Sequence, residues 1–196
     1  MQSKYFAIGA VTPWVRATVG AVATQAMGVV AANGRRVLEA LATGMEPELA
    51  IESVLAHDDD RRLRQLGAVT DDGRAAAFTG AECVEWAGHV IQDGFAVQGN
   101  MLVSGEVVES MAASFVEGEG SLVDRLLAAL EAGQAAGGDR RGQQAAALVV
   151  ERAGEASRSR EGIDRICDLR VDDHPEPIVE LRRLVTIWRA RQHDRT

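Results

Sequence analysis

Gly137-Gly138-Asp139-Arg140-Arg141-Gly142-Gln143-Gln144 lies between a helix and a strand, and the order of elements on either side of it decides the fold. Three glycines, one acid, two arginines and two amides crowd into eight residues. A turn needs one or two such residues. Glycine lets the backbone take positive φ or approach a ligand closely. A guanidinium held by a neighbouring carboxylate is a common way to fix a bidentate contact to an anion. A polar connection with a surface Asp–Arg pair has the same composition, and most such pairs do nothing more.

Working upstream, Ser121 with Asp124 three residues on makes a capping-box-like start. Leu122, Leu126, Leu127 and Leu130 then form the apolar stripe of a helix whose end Gly133 loosens. The helix before it carries Val108, Met111, Ala112 and Phe115 and is closed by Gly118 and Gly120. Downstream, Ala145 to Val150 is a continuous apolar strand, expected to be buried on both faces. A polar hairpin tip over 153–162, a strand from Ile163 to Val171 and a rigid connection from Asp172 to Pro177 follow. The last helix has Ile178, Leu181, Leu184, Val185 and Trp188 on one face. Its later half is rich in arginine, which suits the negative end of the helix dipole.

The first half opens on a strand-like pattern over residues 4–10, broken at Thr12-Pro13-Trp14. Val19 to Gln25 is a second strand of small residues. Asn33 is the predicted N-cap of a helix carrying Val37, Leu38 and Leu41 and stopped at Gly44. Pro47 fits the first turn of the next helix, with Ile51, Val54 and Leu55 on one face. His57-Asp58-Asp59-Asp60 is expected to be a solvated exit and not a metal site. Arg61 to Thr79 is a hairpin turning at Asp71-Asp72-Gly73. Cys83 to Gly88 reads as a loop, and Phe95 to Asn100 as a strand. The whole order is strands, two helices, strands, two helices, strands, one helix. It has no regular βαβα alternation, so the class is layered α+β. Nothing marks a boundary or repeat, and one domain over 1–196 is expected.

A net charge of −8 argues against nucleic acid as the main partner. No apolar run reaches membrane-spanning length. Two cysteines exclude a disulfide framework and a zinc motif, so a cytoplasmic protein with reduced thiols is expected. The four histidines have no ligand spacing; His174 reads as a loop or capping residue and His193 as part of a tail. No metal or cofactor is called for. No serine elbow, P-loop or dinucleotide fingerprint is present. Several strands do end in amides, hydroxyls or glycine: Thr24-Gln25, Gln98-Gly99-Asn100 and Gln143-Gln144. If these ends meet, their donors suit an oxyanion hole. They suit a passive pocket equally, and on the residues alone simple capping of strand ends comes first.

Five segments taken together carry a resemblance. They are Ser3-Lys4-Tyr5-Phe6-Ala7-Ile8-Gly9, Gly20 to Gln25, Val97-Gln98-Gly99-Asn100, Gly133 to Gly142, and Asp168 to Pro175. In this order they resemble the bacterial and archaeal Ntn-hydrolase-like family named Domain of Unknown Function 1028, over essentially the whole chain. The resemblance implies a four-layer αββα sandwich. It also implies the chemistry of that class: an N-terminal Thr, Ser or Cys attacks an amide carbonyl, with its own α-amine as base.

Members of the family typically start Met-Thr, followed by a strand and a turn, before the segment matching Ser3-Lys4. Here that first strand and its threonine are missing, and Gln2 is too large to favour removal of Met1. Three readings follow, in order: the start lies further upstream, the copy is truncated and inactive, or Ser3 serves as nucleophile after processing. The expected function is hydrolysis of an amide or peptide bond in a small metabolite. Ser3, Lys4 and Asn100 are the catalytic candidates, with Asn100 and the Gly99 backbone stabilising the oxyanion. Thr24 and Gln25 would line the cleft, and Asp139, Arg140 and Arg141 would hold a substrate carboxylate. The alternative is a ligand-binding or assembly protein of the same fold without turnover. A homodimer is expected from the small residues and the exposed sheet edge.

Overall fold

A computed structural model describes residues 1–27, 30–157 and 162–193. Among these residues it contains five α-helices and three antiparallel sheets. One sheet has the order β1 (Gln2–Ser3), β8 (Ala145–Glu151), β9 (Arg165–Val171). A second runs β2 (Pro13–Arg16), β3 (Gly20–Gln25), β4 (Gln65–Thr70), β5 (Ala75–Thr79). The third is the hairpin of β6 (Gly88–Gln92) and β7 (Phe95–Gly99).

Helix periodicity decides what covers each sheet. In α1 (Ala31–Leu41) and α2 (Pro47–Leu55), Val37, Leu38, Leu41, Ile51 and Leu55 close over Val22, Leu66 and Ala68 of the second sheet. The first sheet is covered by α4 (Leu122–Ala135) and α5 (Pro177–His193), with Leu127, Leu181 and Val185 on Leu148, Val150 and Cys167. The remaining helix, α3 (Glu106–Glu117), lays Val108 and Ala112 on Phe95 and Val97 of the hairpin. The predicted capping box of Ser121 and Asp124 forms, and Pro47 sits at the first position of α2. Residues 145–148 are all buried, as a strand covered on both faces requires. No described helix is long and apolar enough to cross a membrane.

Three local expectations need correction, and one strand is new. Residues 4–10 are not a strand: after Ser3 the chain turns, Ala7 takes φ 51°, and Ile8–Ala10 is a 3-10 turn. The reason is a crossing contact. Gly9 lies so close to β8 that a Cβ there would come within 2.4 Å of the Ala147 methyl. Asn33 does not cap α1. It lies inside the helix, and its amide donates to Asp58 Oδ2 at 3.1 Å. Asp58, in turn, is not solvated: it accepts Arg64 Nε at 2.8 Å and Nη2 at 3.1 Å, with side-chain exposures of 14% and 7%. Finally, the sequence assigns no element between the loop ending at Gly88 and the strand starting at Phe95, and this stretch holds β6. Its residues are half-buried or exposed, so they lack the apolar alternation that marks a strand. Of the 153–162 tip, residues 158–161 lie outside the described residues, as does the His193 side chain.

Hydrogen bonding from Arg64 holds the Asp58 carboxyl below its usual range. A lowered folded pKa gives stability that is complete above the unfolded value and is lost as pH falls through the folded one. Asp58→Asn should therefore cost about 2 kcal/mol at pH 7 by leaving a buried guanidinium short of its acceptor. Denaturant titration should show that gap to wild type narrowing below about pH 4.

Candidate functional site

The register of the second sheet places Gln25, the last residue of β3, opposite Gln65, the first of β4. Gln65 is fully buried. Its Oε1 accepts from Gln25 Nε2 at 2.8 Å and from Asn100 Nδ2 at 3.1 Å. Its Nε2 faces Gly99 O at 2.8 Å, Gly88 O at 3.0 Å and Thr79 Oγ1 at 2.9 Å. Gly88 and Gly99 are themselves register partners at the open end of the β6–β7 hairpin. A single side chain thus ties the hairpin to the second sheet. An amide buried without partners costs several kcal/mol, and here both of its ends are engaged. Beside it, the Gln98 side chain occupies the space over Gly67, where a Cβ would come within 2.2 Å of Gln98 Oε1.

The chain leaves this cluster through a ladder of loop backbone. Met101 N donates to Val84 O, and Leu102 and Trp86 exchange bonds at 3.0 and 3.2 Å. On the other side Arg140 N donates to Met101 O at 2.9 Å and Val103 N to Gly138 O at 3.1 Å. Met101 takes φ 56° to serve both neighbours. The left-handed conformation costs a non-glycine residue about 1 kcal/mol, and such strain persists where the surroundings impose it. The Arg140 backbone is thereby bonded to the residue that follows Asn100.

Asp139 anchors the stretch from Gly137 to Gln144. It is 7% exposed. Its Oδ1 accepts Arg141 N at 2.9 Å and Nε at 3.0 Å, and its Oδ2 accepts Arg141 Nη2 at 2.6 Å and Lys4 N at 3.4 Å. The carboxylate raises the Arg141 pKa further, so the guanidinium is always charged. Lys4 Nζ donates to Gln143 O at 3.2 Å, and Gln144 N to Ser3 O at 3.0 Å. Gly138 takes φ 61°, and a Cβ there would meet Gln134 Oε1 at 2.7 Å.

Two groups of expected site residues are thus assembled. Gln25, Gly99 and Asn100 meet on Gln65; Lys4 and Arg141 meet on the Asp139 carboxylate, with Ser3 next to Lys4 and held through its carbonyl by Gln144 N; Arg140 N joins the two through Met101. Thr24 belongs to neither group. It is buried on the opposite face of β3, with its methyl toward Gly34 of α1. The sequence reading missed Gln65, whose signal was a lone amide opening an otherwise apolar strand. No hydrogen bond to the Ser3 hydroxyl is present among the described residues. Burial pushes the Cys167 thiol up to about 12 and raises Cys83 as well, so neither is a ready thiolate. Among the described residues no three His, Cys, Asp or Glu side chains are placed to hold a metal.

A family model described as a family of unknown function, DUF1028, matches residues 1–181. The chain belongs to this family. Its fold is also similar to the crystal structure of a DUF1028 protein, SPO2555 from Silicibacter pomeroyi, at 32% identity and a TM-score of 0.85. The match covers 94% of this DUF1028 chain and 76% of the other. No curated protein matches it.

Gln65→Leu removes the shared partner of two amides and two carbonyls. It should lower stability by about 3 kcal/mol, read as a fall in Tm of roughly 6–12 °C. Gln65→Glu places a carboxyl against the Gly88 and Gly99 carbonyls, which raises its folded pKa. Its stability relative to wild type should therefore fall as pH rises above about 4, here because the raised pKa belongs to the variant's own carboxyl.

Proposed function

We propose that this chain carries the substrate cleft of an Ntn-hydrolase-like domain that cleaves amide or peptide bonds of a small metabolite. The observation that carries this reading is the state of Asn100. One N–H of Nδ2 is bound to buried Gln65, and the second has no protein partner among the described residues. A donor fixed in this way costs no reorganisation when an oxyanion forms. The placement of α1 and α2 on one sheet and α4 and α5 on another supports a four-layer αββα arrangement within one domain.

In this reading the nucleophile's oxygen attacks the amide carbonyl while an amine takes its proton. Negative charge develops on the carbonyl oxygen against Asn100 Nδ2, with Gln25 beside it. The leaving amine then departs with that proton, and water hydrolyses the ester. Within residues 1–196 Ser3 is our candidate nucleophile, with Lys4 next to it. Ser3 gains an α-amine only after cleavage of the Gln2–Ser3 bond. Binding without turnover is the second reading, favoured because among the described residues no base is hydrogen-bonded to the Ser3 hydroxyl.

The test is release of free amine from a panel of N-acyl amino acids and dipeptides, with intact mass reporting whether Ser3 has become the first residue. Turnover should fall about 100-fold in Asn100→Ala with the circular dichroism unchanged. It should be lost in Ser3→Ala. Turnover indifferent to both changes removes these roles. Saturable binding with no amine release establishes the second reading instead.

A further inference from the structure

We infer that Lys4, Arg140 and Arg141 form a subsite for a free carboxylate on the ligand. The inference rests on the amide reading above only for what the rest of that ligand is. Lys4 and Arg141 both meet Asp139, and Arg140 stands between Asp139 and Arg141 in the sequence of a chain whose net charge is −8. The one carboxylate among them, Asp139, has both oxygens engaged and is almost buried. The nearest other acid in this bond network, Asp173, accepts from Gln144 Nε2 at 3.0 Å.

The three cations differ in what they have left to give. Asp139 takes Nε and Nη2 of Arg141, and this fixes the plane of a guanidinium whose side chain is 40% exposed. Its Nη1 has no protein acceptor among the described residues. Arg140 is exposed, and its side chain has no acidic partner among them either. Lys4 keeps two of its three ammonium hydrogens after bonding Gln143 O.

The backbone under these side chains is fixed. Gly138 N donates to Gly133 O, Gly142 N to Asp139 O, and Gly137 packs so tightly that a Cβ would come within 2.4 Å of Val103. With Nε and one Nη2 hydrogen on Asp139, Arg141 keeps a pre-oriented end-on pair at Nη1 and Nη2, which loses little freedom on binding and matches a carboxylate. Arg140 N bonds the carbonyl of Met101, the residue after Asn100, and this backbone link is the reason to choose a compact ligand. An N-acyl amino acid, or the C-terminal half of a dipeptide, has its carboxylate close to its amide.

The probes are N-acetylglycine and its uncharged counterpart N-acetylglycinamide, titrated calorimetrically into the full chain at low ionic strength. N-acetylglycine should bind about tenfold more tightly than the amide. Arg140→Ala and Lys4→Ala should each weaken it about threefold or more, with thermal unfolding unchanged. Arg141→Lys keeps a charge on Asp139 but loses the fork, and should weaken N-acetylglycine more than either.

Equal affinity for the two probes overturns the inference, as does binding indifferent to both Arg140→Ala and Lys4→Ala. Inorganic phosphate binding at least tenfold more tightly than N-acetylglycine reassigns the site to phosphate. Carboxylate binding without any hydrolysis leaves the subsite standing and removes the hydrolase reading. Hydrolysis of neutral amides with no carboxylate preference does the opposite.

Discussion

One buried amide holds this molecule's two polar halves in relation. Gln65 has no access to water, yet it sits where a strand of the second sheet, the end of β3 and the open end of a hairpin converge. Apolar packing cannot specify that convergence, because it has no direction. A carboxamide presents an acceptor and a donor pair in one plane, and each of the three elements supplies a complement. Every feature of the candidate cleft depends on this geometry. Asn100 is oriented by it, and Gln25 is drawn from its strand end by it. The loop that follows Asn100 then reaches the Gly137–Gln144 segment from a fixed origin.

That segment is organised by the opposite kind of interaction. Asp139 is charged and close to buried, and it collects a guanidinium and two backbone N–H groups. A lone buried carboxylate is costly, so the cost is offset only while Arg141 and the Lys4 backbone stay in place. The two centres differ in chemistry, one neutral and one ionic, but Met101 couples their backbones. Its left-handed conformation is the price of serving Val84 and Arg140 at once.

Much of the fold was legible in the sequence because its elements follow simple periodicities. The capping box at Ser121 and the continuous run at Ala145 did what such patterns dictate, and of the leucine stripe Leu127 and Leu130 are buried, whereas Leu122 is exposed and Val123 takes its place in the core. The failures share a cause. Lys4 to Ala10 has a strand-like composition, but Gly9 must cross Ala147, and a tertiary contact overrides a local pattern. Asn33 looked like a cap because Asn usually is one; Asp58, 25 residues away, claimed its amide. At the site, strand-end amides could be seen as a group, but the buried partner that gathers them could not. Gln65 is one polar residue at the head of a strand, and only the register of β3 and β4 gives it a role. Strand alternation likewise separates Thr24 from Gln25, which no reading of the adjacent pair as one cluster can respect.

The Gln25–Gln65 pairing has a consequence for how the sheet chooses its alignment. β3 and β4 are built from small residues such as Ala21, Ala23, Gly67 and Ala68, whose side chains discriminate poorly between alternative pairings. A slip by one position would drive Gln65 among the leucines under α2 and turn Leu66 toward the polar cluster. Both errors are severe, so two amides at the strand ends lock an alignment that the strand interiors leave loosely defined. The buried amide cluster is then also the key that selects the sheet's own register.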